Sequence, residues 1–198
     1  MPYRWNPERR VYITERGKQV PASQIREWID AAVDGTKERV AAITQRLVNG
    51  EINTSEWYFQ VRDEIKPMHM AMTQLAAGGN KQVTQVELGR LGARMRSETG
   101  YLRNLANEID SGDVELNDAL ISRATLYADS GVGTYEGARR GGMLDAGFSE
   151  EKNILERGAQ HCDGCIAATK EGWVEIGTLP AIGARTCLAR DRCALVYR

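Results

Sequence analysis

The residues best suited to chemistry in this chain are its four cysteines, all in the last forty residues: Cys162 and Cys165 flanking Asp163-Gly164, then Cys187 and Cys193. A Cys-x-x-Cys turn points both sulfurs the same way, as in a zinc knuckle. A second pair arriving across a loop of about twenty residues can complete a tetrahedral thiolate set. The second pair is less regular, because five residues separate Cys187 from Cys193 where two is commoner in a knuckle. Three readings stand: Cys162, Cys165, Cys187 and Cys193 as ligands of a structural zinc, two disulfides linking the halves, or reduced thiols used as small buried residues. His161 adjoins Cys162, which in an extended chain points its ring elsewhere, so it reads as a surface histidine.

Other chemistries lack partners. A redox Cys-x-x-Cys should open a helix behind a strand in a thioredoxin-like alternation, and here a helical body precedes it. His69 has no evident acid partner, Gly131-x-Gly133 follows no strand, and neither a Ser-His-Asp nor a His-Glu-x-x-His arrangement appears. No catalytic residue is expected, and the chain reads as a non-enzyme.

The elements that must position the thiols follow from periodicity. Residues 1–20 hold two short extended pieces, Tyr3-Arg4-Trp5 and Val11-Tyr12-Ile13-Thr14, a hairpin or clasping arm that needs a body or a neighbour to lie on. Residues 21–149 read as a helical body of about four long helices. The first starts at Pro21, is stopped by Asn49-Gly50, and is about 40 Å long. The second is capped by Thr54 or Ser55, carries Trp57, Val61, Ile65, Met68, Met72 and Leu75, and should kink around Pro67. A third spans about 83–110, and a fourth follows Ser111-Gly112-Asp113. In the fourth, Gly133, Gly137 and Gly141 recur every four residues, which implies either close approach of another helix or a break. Residues 150–198 change character, with β-like pieces at Asn153–Glu156, Trp173–Ile176 and Ala194–Tyr197 too short to stand without a crosslink. The fold class expected is mainly α: an elongated bundle, an N-terminal arm, and a small Cys-stapled β-rich C-terminal module.

A net charge of −1 conceals basic ends. Residues 1–26 carry six cations against Glu8 and Glu15, and residues 184–198 carry Arg185, Arg190, Arg192 and Arg198 against Asp191. Such ends suit phosphate, including packaged DNA, or an acidic protein surface; solvated arginines packed on an acidic body are the plain alternative. No signal-peptide pattern and no apolar run of about twenty residues is present, so a membrane is not expected, and synthesis in the cytosol favours metal over disulfide.

Three stretches also carry a resemblance: Arg157-Gly158-Ala159-Gln160-His161-Cys162-Asp163-Gly164-Cys165, Gly172-Trp173-Val174-Glu175-Ile176-Gly177-Thr178-Leu179-Pro180, and Ile182-Gly183-Ala184-Arg185-Thr186-Cys187 with Cys193-Ala194-Leu195-Val196-Tyr197. They resemble the C-terminal region of the head-morphogenesis, or minor head, proteins of tailed bacteriophages. Many members of that family have a further cysteine where this chain has Asp191. The resemblance covers about fifty residues and implies a non-enzymatic virion protein in low copy, assembled in the bacterial cytosol, with the portal, the capsid shell or both as partners. Two alternatives accompany it: a capsid-decorating (cement) protein, and a zinc-dependent nucleic-acid-binding module with its C-terminal arginines on phosphate.

Overall fold

The computed structural model describes residues 3–6, 8–9, 11–183, 185–187 and 193–198, with Asn80 described by its backbone alone. Arg10, one of the six N-terminal cations, and Ala184, Arg190, Asp191 and Arg192 lie outside the described residues. The protein is mainly helical, with a few short antiparallel strands and a cysteine cluster near its C-terminal end.

Strands β1 (Tyr3–Asn6) and β2 (Val11–Thr14) form an antiparallel hairpin with Tyr3 opposite Thr14 and Asn6 opposite Val11. It lies on the chain's own helices. The Tyr3 and Tyr12 hydroxyls donate to the carbonyls of Leu75 and Ala76, and the Trp5 N–H donates to Gln82 Oε1 at 2.7 Å. Gly78 allows this contact twice over. It ends its helix at φ 89°, and a Cβ there would stand 2.3 Å from the Trp5 nitrogen.

Helix α1 (Ala22–Val48) begins after Pro21 and ends before Asn49, as the spacing predicts. Helix α2 (Thr54–Ala77) is capped one residue earlier than expected. Asn53 accepts from the Glu56 N–H while the Glu56 carboxylate accepts from the Asn53 N–H, a reciprocal pair that neither Thr54 nor Ser55 completes. The helix continues through Pro67. Thr84 and Glu87 repeat the device at α3 (Gln85–Asp110). Helix α4 (Asp118–Asp145) starts later than the Ser111-Gly112-Asp113 signal suggests. Asn117 accepts from the N–H groups of Ala119 and Leu120, leaving Leu116 exposed ahead of the helix. Among the described residues, no helix is long and apolar enough to cross a membrane.

The glycines of α4 do not break it, and two of the three spaced four apart lie toward arginines of α3: a Cβ at Gly133 would stand 3.6 Å from Arg94 Nη2 and one at Gly141 2.5 Å from Arg90 Nη1. A Cβ at Gly131 would stand 2.8 Å from Met68 Sδ, so α2 passes close there, and the backbone of Gly133 lies against Gly183 of the C-terminal segment. Gly137 meets nothing within 4 Å.

After α4 come β3 (Glu150–Ile154), the short helix α5 (Asp163–Lys170), β4 (Val174–Glu175) and β5 (Ala194–Tyr197). They form an antiparallel sheet in the order β4-β3-β5, with Glu151 opposite both Val174 and Tyr197, and Asn153 opposite Leu195.

Two apolar clusters fill the molecule. One joins Val40, Trp57, Val61, Ile65, Leu102, Leu105 and Leu120 between α1, α2, α3 and α4. The other gathers Tyr3 and Tyr12 of the hairpin, Ile29, Met72 and Val132 of the bundle, and Ile176, Leu179, Ile182 and Leu195 beyond residue 150. The change near residue 150 is therefore one of secondary structure, and the core runs across it.

Candidate metal centre

Cys162 is extended (φ −76°, ψ 163°) and caps α5, while Cys165 sits in its first turn with its N–H donating to the Cys162 carbonyl at 3.0 Å. Gly164 stands between them, and a Cβ there would make only ordinary contacts, 3.8 Å from Cys162 Sγ and 4.0 Å from Arg185 Cβ. The Asp163-Gly164 pair turns both sulfurs to one side, as the spacing predicts, but it does so as the opening of a helix that follows strand β3, a placement the sequence pattern did not foresee. Cys187 arrives from the segment after Arg185.

The three sulfurs form a nearly equilateral triangle, with Cys162–Cys165 at 3.4 Å, Cys162–Cys187 at 3.5 Å and Cys165–Cys187 at 3.4 Å. These lengths are far beyond a bonded S–S length of about 2.05 Å, and none of the four cysteines forms a disulfide. They lie near the edge of a tetrahedron built on zinc–sulfur bonds of about 2.3 Å, which is about 3.8 Å. Three soft donors at these separations fit a thiophilic metal ion.

Cys193 is placed apart from this triangle. It is buried, with its sulfur 3.8 Å from His161 Nδ1, and it does not join the group of donor atoms lying within 4.8 Å of one another. His161 Nε2 sits 2.9 Å from the Glu156 carbonyl. A carbonyl only accepts, so Nε2 is the donor there and Nδ1 faces the Cys193 sulfur. The surface histidine expected from sequence is therefore a half-buried ring held beside the fourth thiol.

The Cys162 thiol is pulled down to about 7, chiefly because it accepts the Cys165 N–H at the helix start and then the Cys165 side chain's hydrogen bond. A cation stands behind the triangle. Arg185 is only 5% exposed; its Nη1 donates to Asn153 Oδ1 at 2.8 Å and lies 3.9 Å from Cys165 Sγ, and its Nε and Nη2 donate to the Pro180 carbonyl. A guanidinium at that place would offset part of the charge of metal-bound thiolates. Asn153 in turn donates to Thr169 Oγ1 and the Cys165 carbonyl, tying β3 to α5.

One step further along β3, Glu151 is fully buried. Its Oε1 accepts from the N–H groups of Gly177 and Leu179 and from Arg140 Nη2, and Arg140 Nε faces its Oε2 at 2.8 Å. Sequence reasoning missed Glu151, Asn153 and Arg140, and counted Arg185 with a solvated basic tail. Burial turns Arg185 inward instead, while Arg198 pairs with Glu150 at 2.6 Å and lies over the Trp173 ring. The available signal was the alternation of β3, which buries residues 151 and 153 together on one face.

His69 lies elsewhere. It is fully buried in the bundle, with Nδ1 2.7 Å from Thr134 Oγ1 and Nε2 3.4 Å from Ser130 Oγ. Burial, helped by Arg94, lowers its pKa to about 4, so it is a neutral packing residue. No family model, curated protein or solved structure matches this chain.

Proposed function

We propose that this chain is a structural protein of a tailed-bacteriophage head, a minor head component that binds the portal, the capsid shell or both and catalyses no reaction. Its C-terminal segment would be closed by zinc on Cys162, Cys165 and Cys187, with Cys193 as the candidate fourth thiol. One observation carries the reading: the stretches that resemble the minor head family interlock around the thiols as one unit. Arg185 reaches from the Ile182–Cys187 stretch to the Pro180 carbonyl, Asn153 and Cys165, and Leu179 donates its N–H to Glu151.

Zinc, when bound, supplies a crosslink between the start of α5 and the Cys187 segment. The chain's own residues prepare the site: the Cys165 N–H favours the Cys162 thiolate, and Arg185 stabilises charge behind Cys165. A staple here would add to the core these strands share with the bundle, since strands of two to five residues bury little surface by themselves.

Quantitative mass spectrometry of purified phage particles tests the role. About a dozen copies or fewer per particle supports a portal-proximal minor head protein. Hundreds of copies would make it a decoration protein, and absence from the particle would refute a virion role. The ligand set is tested separately. Cys187→Ser should abolish zinc binding, and Cys193→Ser should weaken it if the fourth thiol swings into the set.

A further inference from the structure

The cations of helices α1 to α4 are, with four exceptions, engaged in ion pairs with carboxylates. One exception, Arg139, stands beside Tyr135 and over the Tyr197 ring. Of the other three, Lys66 and Arg96 share a single place, and Arg103 lies about 10 Å further along α3. Lys66 and Arg96 line a groove of about 360 Å³ between α2 and α3, together with Arg62, Asp63, Gly92, Met95 and Thr99. Arg103 stands beside Tyr58, donating to its hydroxyl at 3.4 Å with its guanidinium 5.8 Å from the ring.

The groove is basic within a chain of net charge −1. Its one lining carboxylate, Asp63, is held by its neighbour Arg62 at 2.8 Å. Neither the Lys66 ammonium nor the Arg96 guanidinium has an ion pair with a described residue, and both side chains are exposed. The flanking arginines are pre-positioned: Arg62 lies over the half-exposed Phe59 ring at 4.9 Å, and Arg103 is braced on Tyr58. From Tyr58 to Lys66 is about 12 Å along α2, a span that faces three or four phosphates of one strand at about 3.4 Å of axial rise each. At Gly92 a side chain would meet nothing within 4 Å, so the α3 wall of the groove lies open to a partner's backbone.

We propose that the groove between α2 and α3 binds the phosphate backbone of nucleic acid, without reading its sequence, through Arg62, Lys66, Arg96 and Arg103. Three cations without an ion pair to a described residue, Lys66, Arg96 and Arg103, with Arg62 beside them on its own Asp63, match a polyanion of regular charge spacing better than an acidic protein surface, whose carboxylates are irregular. This surface is distinct from the two basic ends and does not depend on the thiol site or on a virion role.

The test is fluorescence anisotropy of the full chain with labelled 20-mer duplex and single-stranded DNA from 50 to 200 mM salt, with polyglutamate as competitor. Wild type should bind with a log–log salt slope of about −3 to −4 on duplex, since each neutralised phosphate contributes about −0.9. Lys66→Glu/Arg96→Glu should lose tenfold or more in affinity at 50 mM. Lys66→Ala/Arg96→Ala should reduce the slope by about two units, with circular dichroism and bound metal unchanged in both variants. Tighter binding to one DNA form identifies the physiological polymer. No binding by wild type at 50 mM salt, equal binding by the double variants, or displacement by polyglutamate at matched charge concentration would overturn the proposal.

Discussion

The apolar cluster around Trp57 and the C-terminal unit around Glu151 are held by different physics. The first is built from Val40, Trp57, Val61, Ile65, Leu102, Leu105 and Leu120, and a polar contact within it is the Trp57 Nε1–H donating to Thr44 Oγ1 at 3.0 Å. Its stability comes from removed apolar area, which is non-directional and tolerates substitutions that keep volume. The second combines a shared apolar core with a buried carboxylate, a buried guanidinium, an amide and three converging thiols. Directional interactions of that kind are sensitive to the loss of one partner, because the remaining partners stay buried without compensation. The bundle thus has one end whose stability is spread over many contacts and another whose stability is concentrated in a few groups.

The largest expected effect breaks the polar end. Glu151→Gln removes the charge facing Arg140, whose side chain is 16% exposed, and should cost about 3–5 kcal/mol. In hydrogen exchange, protection should fall first in β3, β4 and β5 while α2 and α3 around Leu102 stay protected. Equal loss everywhere would mean that the two ends unfold as one unit. The matching change in the other cluster is Leu102→Ala at a fully buried site, expected to cost about 2–5 kcal/mol in urea titration.

A third prediction uses His69, in the middle of the bundle. Its pKa is lowered from 6.5 to about 4, mainly by burial and then by Arg94, so the folded state favours the neutral ring. The associated stability is fully present above pH 6.5 and is lost as pH falls from 6.5 toward 4. Two and a half units correspond to about 3 kcal/mol. Stability measured against pH for wild type and His69→Gln should converge across that window, and parallel curves would show that His69 does not titrate there. The smallest effect is Gly137→Ala on α4, where nothing lies within 4 Å; it should raise stability by about 0.5–1 kcal/mol in thermal melts.

How far each region was legible in the sequence follows the same division. The bundle was readable because apolar periodicity and glycine or asparagine stops report burial directly: α1 between Pro21 and Asn49, and β5 at Ala194–Tyr197, fall where the pattern places them. Caps were less legible because Asn53, Thr54 and Ser55 are all cap formers, and only Asn53 stands three residues before Glu56. The convergence of the Cys-x-x-Cys thiols was legible. The network around them was not, since a glutamate, an asparagine and an arginine in short segments look solvated until a fold pairs them. Arg185 shows this plainly: counted as part of a basic tail, it lies inside, 3.9 Å from Cys165 Sγ. Cys193 shows it in reverse, because spacing groups it with Cys187 while the fold sets it beside His161.

The most direct test of the proposed metal staple is elemental analysis of the protein purified without chelator, combined with thiol titration before and after denaturation. One zinc per chain is expected, with the Cys162, Cys165 and Cys187 thiols protected until the metal is removed. No metal, with all four cysteines reacting freely in the native protein or recovered as disulfides, would contradict it.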